Sequence, residues 1–301
     1  MRIRILALVA AIVGLMALAT PAQAIKNGVA DGNAHPYVGE LFFYVPSSDE
    51  DTRFDDPGTW YTCTGTLISP TVVVTAGHCT FDIGLNGEDT ESGVGGNDVW
   101  ISFAEKPNFD FLTPSSAFGR DENDERYRVR SAELNSSDEW IRATATPHPE
   151  YDDDAFFTHD VGVLILSRPV NLPVYGQLPT EGLLSTLYAA NRQQRYTAVG
   201  YGLEGSGPKK EVGGDTRRRA DLRLVNLTGV GGLGRGISAK FSSNANTGGT
   251  CFGDSGGPIF VAGTRTIVAV NSYVANLSCA GTTGGYRIDQ DDDLDFLTPY
   301  L

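Results

Sequence analysis

Beyond the first two dozen residues, the chain is a succession of short β-branched and aromatic runs separated by clusters of Gly, Pro, Asn and Asp, and this texture confines it to an all-β fold. The runs fall at 37–45, 65–68, 71–75, 99–103, 161–166, 196–201, 222–227, 258–261 and 266–270. Helical periodicity is scarce until 293–301, which predicts a short C-terminal helix. Three polar stretches, 46–58, 82–97 and 204–218, read as solvated loops, and 105–125 as a longer mixed one. The extended, proline-bearing stretch 169–179 reads as a link between two halves.

The first 24 residues read as a secretory signal peptide, with Arg2 and Arg4 ahead of an apolar core and Ala22-Gln23-Ala24 as the cleavage site. A membrane anchor is the competing reading, but Pro21 and the polar chain after it argue against one, and no later stretch is apolar enough to span a bilayer. Losing Arg2 and Arg4 with the leader takes the formal charge from −14 to −16. So acidic a chain is not expected to bind nucleic acid, and no membrane association is expected once the leader is gone. Four cysteines, Cys63, Cys79, Cys251 and Cys279, are an even number in an exported chain, which favours disulfides. Counting allows three pairings. The local one, Cys63 with Cys79 and Cys251 with Cys279, would set each bridge beside a candidate catalytic residue. A zinc site is disfavoured by the absence of any CxxC or HxxxH spacing.

The segment Cys251-Phe252-Gly253-Asp254-Ser255-Gly256-Gly257-Pro258 places one hydroxyl among glycines. Glycines on both sides of a serine suit a tight turn in which backbone N–H groups converge, and converging donors are what an oxyanion needs. A nucleophilic serine also needs a base. The histidines are His35, His78, His148 and His159, and all precede Ser255. Gly253-x-Ser255-x-Gly257 fits the nucleophile elbow of α/β-hydrolases, but there the histidine comes after the serine. That reading, and with it an esterase or lipase of that type, fails on chain order. The order His, Asp, Ser remains.

His78 comes directly after the apolar run Val72-Val73-Val74 and its short Thr-Ala-Gly turn, and a strand end is a rigid mount for an imidazole. Asp160 opens Val161-Gly162-Val163-Leu164-Ile165-Leu166, which is apolar on both faces and therefore a buried strand. A carboxylate at the mouth of such a strand is costly unless it accepts hydrogen bonds. An imidazole Nδ1–H would satisfy it and leave Nε2 free to take the proton of Ser255. His159 alternates to the opposite side of the strand and is not assigned to the site.

With these residues in place, Thr75-Ala76-Gly77-His78-Cys79, the 159–164 block and Gly253 to Pro258 resemble the three signature blocks of the chymotrypsin/trypsin-like secreted serine proteases. Cys63-Thr64-Gly65, His148-Pro149 and Gly200-Tyr201-Gly202 add to the likeness, which runs from Ile25 to about Ile288. The resemblance implies two six-stranded antiparallel β-barrels with the site in the cleft between them. The first barrel would span 25–172 and carry His78 and Asp160; the second would span 173–301 and carry Ser255 and the specificity pocket. It further implies a serine endopeptidase working through an acyl-enzyme, with the N–H groups of Gly253 and Ser255 as oxyanion hole, a protein or peptide substrate, no cofactor or metal, and a monomer.

Ile25-Lys26-Asn27-Gly28 is similar to the family's activated N-terminus, whose freed α-ammonium pairs with the aspartate before the nucleophile, here Asp254. Since the leader ends at Ala24, signal peptidase itself would expose Ile25. The family's specificity pocket maps onto Gly249 at its base, the wall Ser272-Tyr273-Val274, and Gly284 opposite. With glycine rather than aspartate at the base and Val274 at the mouth, the resemblance implies cleavage after small to medium apolar residues and not after Arg or Lys. The acidic runs at 152–154 and 88–91 read as solvated turns rather than calcium sites. A secreted binding protein that keeps the fold without turnover stays open as the alternative.

Overall fold

The computed structural model describes residues 25–45, 59–84, 98–119, 123–207 and 210–301. The leader at 1–24, the loop at 46–58 and the acidic turn at 88–91 lie outside them. The strands, in chain order, are β1 (Val29–Ala30), β2 (Val38–Val45), β3 (Thr59–Leu67), β4 (Val72–Thr75), β5 (Val99–Ser102), β6 (Ile141–Pro147), β7 (Gly162–Leu166), β8 (Arg195–Gly200), β9 (Gly205–Gly207), β10 (Lys210–Val212), β11 (Arg218–Asn226), β12 (Ser238–Ser243), β13 (Pro258–Val261), β14 (Ile267–Val274) and β15 (Gly281–Arg287). Three α-helices accompany them among the described residues: α1 (Asn123–Ser136), α2 (Leu183–Ala190) and α3 (Asp291–Leu297).

Strands β2, β3, β4, β7, β6 and β5 close into one antiparallel barrel. A second closes in the order β11-β12-β15-β14-β13-β8, with β8 returning to β11, and the short β1 adds to β11 from outside the ring. Both barrels and the C-terminal helix match the expected fold class. Closure leaves no free edge, so strands of weak β-propensity are still paired on both sides. This helps explain β15 (GTTGGYR), with little apolar patterning, and the mostly polar β12 (SAKFSS), in which only Ala239 and Phe241 alternate into the core; the two pair residue for residue from Ser238–Tyr286 to Ser243–Gly281.

Several strands are buried on both faces, as β4 is along its whole length, and segments outside the strands add to both cores. Ile25, near β1, is fully buried among Tyr196, Ala198 and Ala220 of the second barrel. Leu297 of α3 is buried in the cluster that holds Val73, Val163 and Leu164 of the first. Helix α1 begins inside the stretch read as a loop. Its fourteen residues are mostly polar, with an Arg128–Glu125 ion pair three apart on an exposed face. Among the described side chains of this helix, Leu134 alone is wholly buried, in the cluster of Trp100 and Trp140. One anchoring leucine gives no helical period in the sequence.

Candidate active site

His78 lies in a 3₁₀ turn (Gly77–Cys79) directly after β4, and Asp160 stands just ahead of β7, which pairs with β4 along Val72–Ile165 to Thr75–Gly162. Pairing of these two strands therefore places the two side chains together. Asp160 Oδ1 accepts from the backbone N–H of His78 at 2.9 Å and lies 3.0 Å from its Nδ1; Oδ2 lies 3.1 Å from the same nitrogen. Asp160 is completely buried and His78 about a quarter exposed (27%). Burial alone would depress the imidazole, but the adjacent Asp160 carboxylate outweighs it and holds His78 above its ordinary value. With Nδ1 bound to a carboxylate, the proton-accepting atom is Nε2.

The other three histidines are engaged elsewhere. His35 binds the Asp31 carboxylate at 2.6 Å. His148 accepts from the Glu150 backbone at its Nδ1, and His159 stacks on it at 4.8 Å with Nε2 on Asp292 of α3. His159 sits at φ 49°, with its Nδ1 on the Glu150 carbonyl rather than the Asp160 carboxyl.

The Ser255 loop is clamped against the first barrel. Thr64, on β3, donates its backbone N–H to Ser255 O at 2.7 Å and its hydroxyl to Gly253 O at 2.9 Å. Gly253 holds φ 91°, a conformation that suits glycine, and among the described residues no group accepts the N–H of Gly253 or Ser255. Gly256, at φ 74°, lies so close to Thr75 that a Cβ there would sit 2.0 Å from its Oγ1. No hydrogen bond links His78 to Ser255 among the described residues, as is common in ligand-free sites, where such contacts tighten on binding.

Asp254 turns inward. Its carboxyl is completely buried and accepts from the backbone N–H groups of Gly202 and Cys251, each at 2.8 Å. Burial pushes it up to about 7 against the pull of those two hydrogen bonds. Among the described residues no basic side chain pairs with it. Gly200 and Gly202 make the room, since a Cβ at Gly200 would fall 2.3 Å from Oδ1.

Both disulfides have the local pairing, Cys63–Cys79 beside His78 and Cys251–Cys279 beside the serine loop. Among the described residues the one cluster of metal-ligating atoms is Cys63, His78 and Cys79, and its two sulfurs are spent in that disulfide.

A cavity of about 390 Å³ opens beside Ser255, lined by Thr250, Phe252, Ser272, Tyr273, Val274 and Leu277 among others. No charged side chain lines it among the described residues. Of the residues expected to shape it, Ser272, Tyr273 and Val274 do; Gly249 and Gly284 are not part of the lining. Gly249 is packed against Ser243, and Gly284 lies beneath the Tyr273 ring, where a Cβ would come within 2.3 Å of it. Thr250, which does line the cavity, is buried and shares a 2.6 Å hydroxyl–hydroxyl hydrogen bond with the buried Thr283.

Ser272 also makes a contact that spacing along the chain did not reveal. Its hydroxyl donates to Asp160 Oδ2 at 2.5 Å, so the carboxylate is held from both barrels. A serine on a strand of the other barrel carries no local signal of such a contact.

Comparison with known proteins bears on this arrangement. The family model Trypsin matches residues 120–289. Among solved structures, HL collagenase superposes with a TM-score of 0.61 at 16% identity, covering 92% of this chain and 98% of that one. A protein designated GrC gives 0.58 at 16%, covering 91% and 97%. An inactivated protease paralogue of the scabies mite gives 0.58 at 14%, covering 92% and 97%. A search of the curated proteins finds no match.

Proposed function

The chain belongs to the trypsin family, and on that footing we propose that it is a secreted serine endopeptidase in which His78, Asp160 and Ser255 form the catalytic triad. The observation that carries this reading is the doubly held carboxylate: Asp160 grips Nδ1 and the backbone of His78 and is itself gripped by Ser272. An imidazole so fixed presents Nε2 to the cleft. Nε2 takes the proton as Ser255 Oγ attacks the scissile carbonyl, and the imidazolium returns it to the leaving amine. The N–H groups of Gly253 and Ser255 stabilise the oxyanion, and water then hydrolyses the acyl-enzyme by the same proton path in reverse.

The uncharged cavity beside Ser255 supports a preference for small to medium apolar residues before the cut. A substrate cation buried there would lack a counter-charge and cost several kcal/mol. A substrate panel led by Arg or Lys at that position would overturn this preference.

Ile25 and Asp254 form the activating ion pair once the leader has been removed. Support comes from the buried side chain of Ile25, which already lies in the second-barrel core, and from Asp254, a buried carboxyl with no cationic partner among the described residues. N-terminal sequencing of the active secreted protein should read Ile25; any other start excludes activation by signal peptidase.

The competing reading is a non-catalytic member, as the scabies mite paralogue is by its own designation. Labelling by a serine-directed fluorophosphonate separates the two. An endopeptidase is labelled rapidly and Ser255→Ala is not; an inert relative is labelled in neither form.

A further inference from the structure

We propose that a second, aromatic-walled cavity selects substrates by a bulky aromatic side chain on the leaving-group side of the scissile bond, an inference that rests on the endopeptidase reading above. The groove that carries it starts at the serine loop. A cleft of about 270 Å³ runs from Phe252 and Gly253 past Gly202 to Tyr61 and Thr62 of β3. Phe252 also borders the 390 Å³ cavity, so the two openings lie on either side of the nucleophile loop. If the uncharged cavity takes the residue before the cut, this cleft takes the residues after it.

The cleft does not end at β3. It shares Trp60, Thr62 and Asp215 with a larger cavity of about 570 Å³, in the range of sites that enclose a substantial ligand group. Trp60, Phe109, Leu112 and Pro114 wall this cavity, with Phe42 behind. The rings are preset: Phe42 stacks on Trp60 at 4.8 Å and meets Phe109 edge to face at 5.3 Å. Arg130 of α1 is held by Ser115 and the Thr113 carbonyl, with its guanidinium 5.9 Å from the Trp60 ring. The guanidinium is thus fixed in the wall by neutral partners.

Burying another ring among these would add offset or edge-to-face contacts to the gain from apolar area. The two carboxylates of Asp110 and Asp215 outnumber the single Arg130 cation at the same cavity, which disfavours an acidic residue there. Phe109, Leu112 and Pro114 come from the segment between β5 and α1, which the sequence showed only as a mixed loop.

The test uses the Ser255→Ala protein, so that binding is read without turnover, and fluorescent peptides identical before the cut. After the cut, each position in turn carries Phe, Ala or Asp. At one position Phe should bind on the order of 10- to 100-fold more tightly than Ala, the yield of burying one aromatic side chain. Asp there should bind more weakly than Ala. Adding Leu112→Arg, or Pro114→Arg at the exposed rim should the first variant not fold, should bring the Phe and Ala affinities together. Equal affinities in the Ser255→Ala protein, or a Phe advantage that survives both substitutions, overturns the proposal. If the advantage is absent and the protein instead dimerises in a Leu112-dependent way, the proposal is likewise overturned and the cavity belongs to a second copy. Fluorophosphonate labelling of the unsubstituted protein is scored separately: unlabelled protein with intact aromatic selectivity refutes the endopeptidase and leaves an aromatic-peptide binder.

Discussion

Ser272, on β14 of the second barrel, donates a 2.5 Å hydrogen bond to Asp160 of the first, the same carboxylate that orients His78. The acid of the proposed triad is therefore held in register by both halves of the molecule. Removing one neutral donor to a charged acceptor costs about 1.5–3 kcal/mol. Ser272→Ala should accordingly lower kcat/KM by on the order of 10- to 100-fold. Asp160→Asn, which upsets the tautomer of His78, should cost about 10⁴-fold. Steady-state kinetics on a peptide substrate checks the ranking; an unchanged kcat/KM in Ser272→Ala would remove Ser272 from the positioning network.

The raised pKa of His78 fixes the acid limb of the rate profile. Catalysis needs the neutral imidazole, so activity falls as pH drops through the folded pKa. The midpoint of kcat/KM should lie above the ordinary imidazole value of 6.5. In Asp160→Asn the carboxylate is gone while burial remains, and the midpoint of the residual activity should move below 6.5. For stability the sign is opposite: the His78–Asp160 attraction is fully present below pH 6.5 and is lost as pH rises through the folded pKa.

Asp254 ties activation to pH. A carboxyl raised from 3.8 to about 7 contributes stability that is fully present below pH 3.8 and has been lost once pH passes about 7. In protein whose leader is retained, this loss should amount to roughly 4 kcal/mol. An ammonium at Ile25 would hold the carboxylate ionised and largely cancel it. Denaturant unfolding between pH 4 and 8, with and without residues ahead of Ile25, should therefore show a pH-dependent gap. Identical curves would mean that Ile25 does not reach Asp254.

Arg217 and Asp31 form a buried ion pair at 3.1 Å that fastens the N-terminal segment to the second barrel. Desolvation would raise Asp31, but the hydrogen bonds of His35 outweigh it and hold its pKa down to about 2. That contribution is present above pH 3.8 and lost as pH falls through about 2. Arg217→Met removes one partner and should cost about 3–5 kcal/mol, read as a lowered urea midpoint.

Gly256 interlocks the serine loop with β4. At φ 74°, and with a Cβ bound to approach Thr64 O at 2.6 Å and Thr75 Oγ1 at 2.0 Å, Gly256→Ala should destabilise the protein by about 2 kcal/mol or more. It should also displace Ser255 and depress fluorophosphonate labelling. Full labelling with an unchanged Tm would refute this packing.

The sequence by itself determined the local parts. The serine-glycine loop, the imidazole beyond the end of Val72-Val73-Val74 and the aspartate at the mouth of an apolar strand are each legible, because residue type and neighbouring residues carry the signal. Chain order alone dismissed the elbow-type hydrolase, and the alternation of β-branched runs pointed to the fold class. Tertiary structure alone decided the pairing of β12 with β15, short and mostly polar or glycine-rich strands whose backbone is satisfied by ring closure. It alone joined Ser272 to Asp160 across 112 positions. It also left Gly249 and Gly284 outside the lining of the cavity beside Ser255, where the family resemblance had implied them, and raised helix α1 from a charged stretch with one anchoring leucine. Such features depend on which surfaces meet once two barrels have closed and packed, and side-chain order along the chain does not encode that distance.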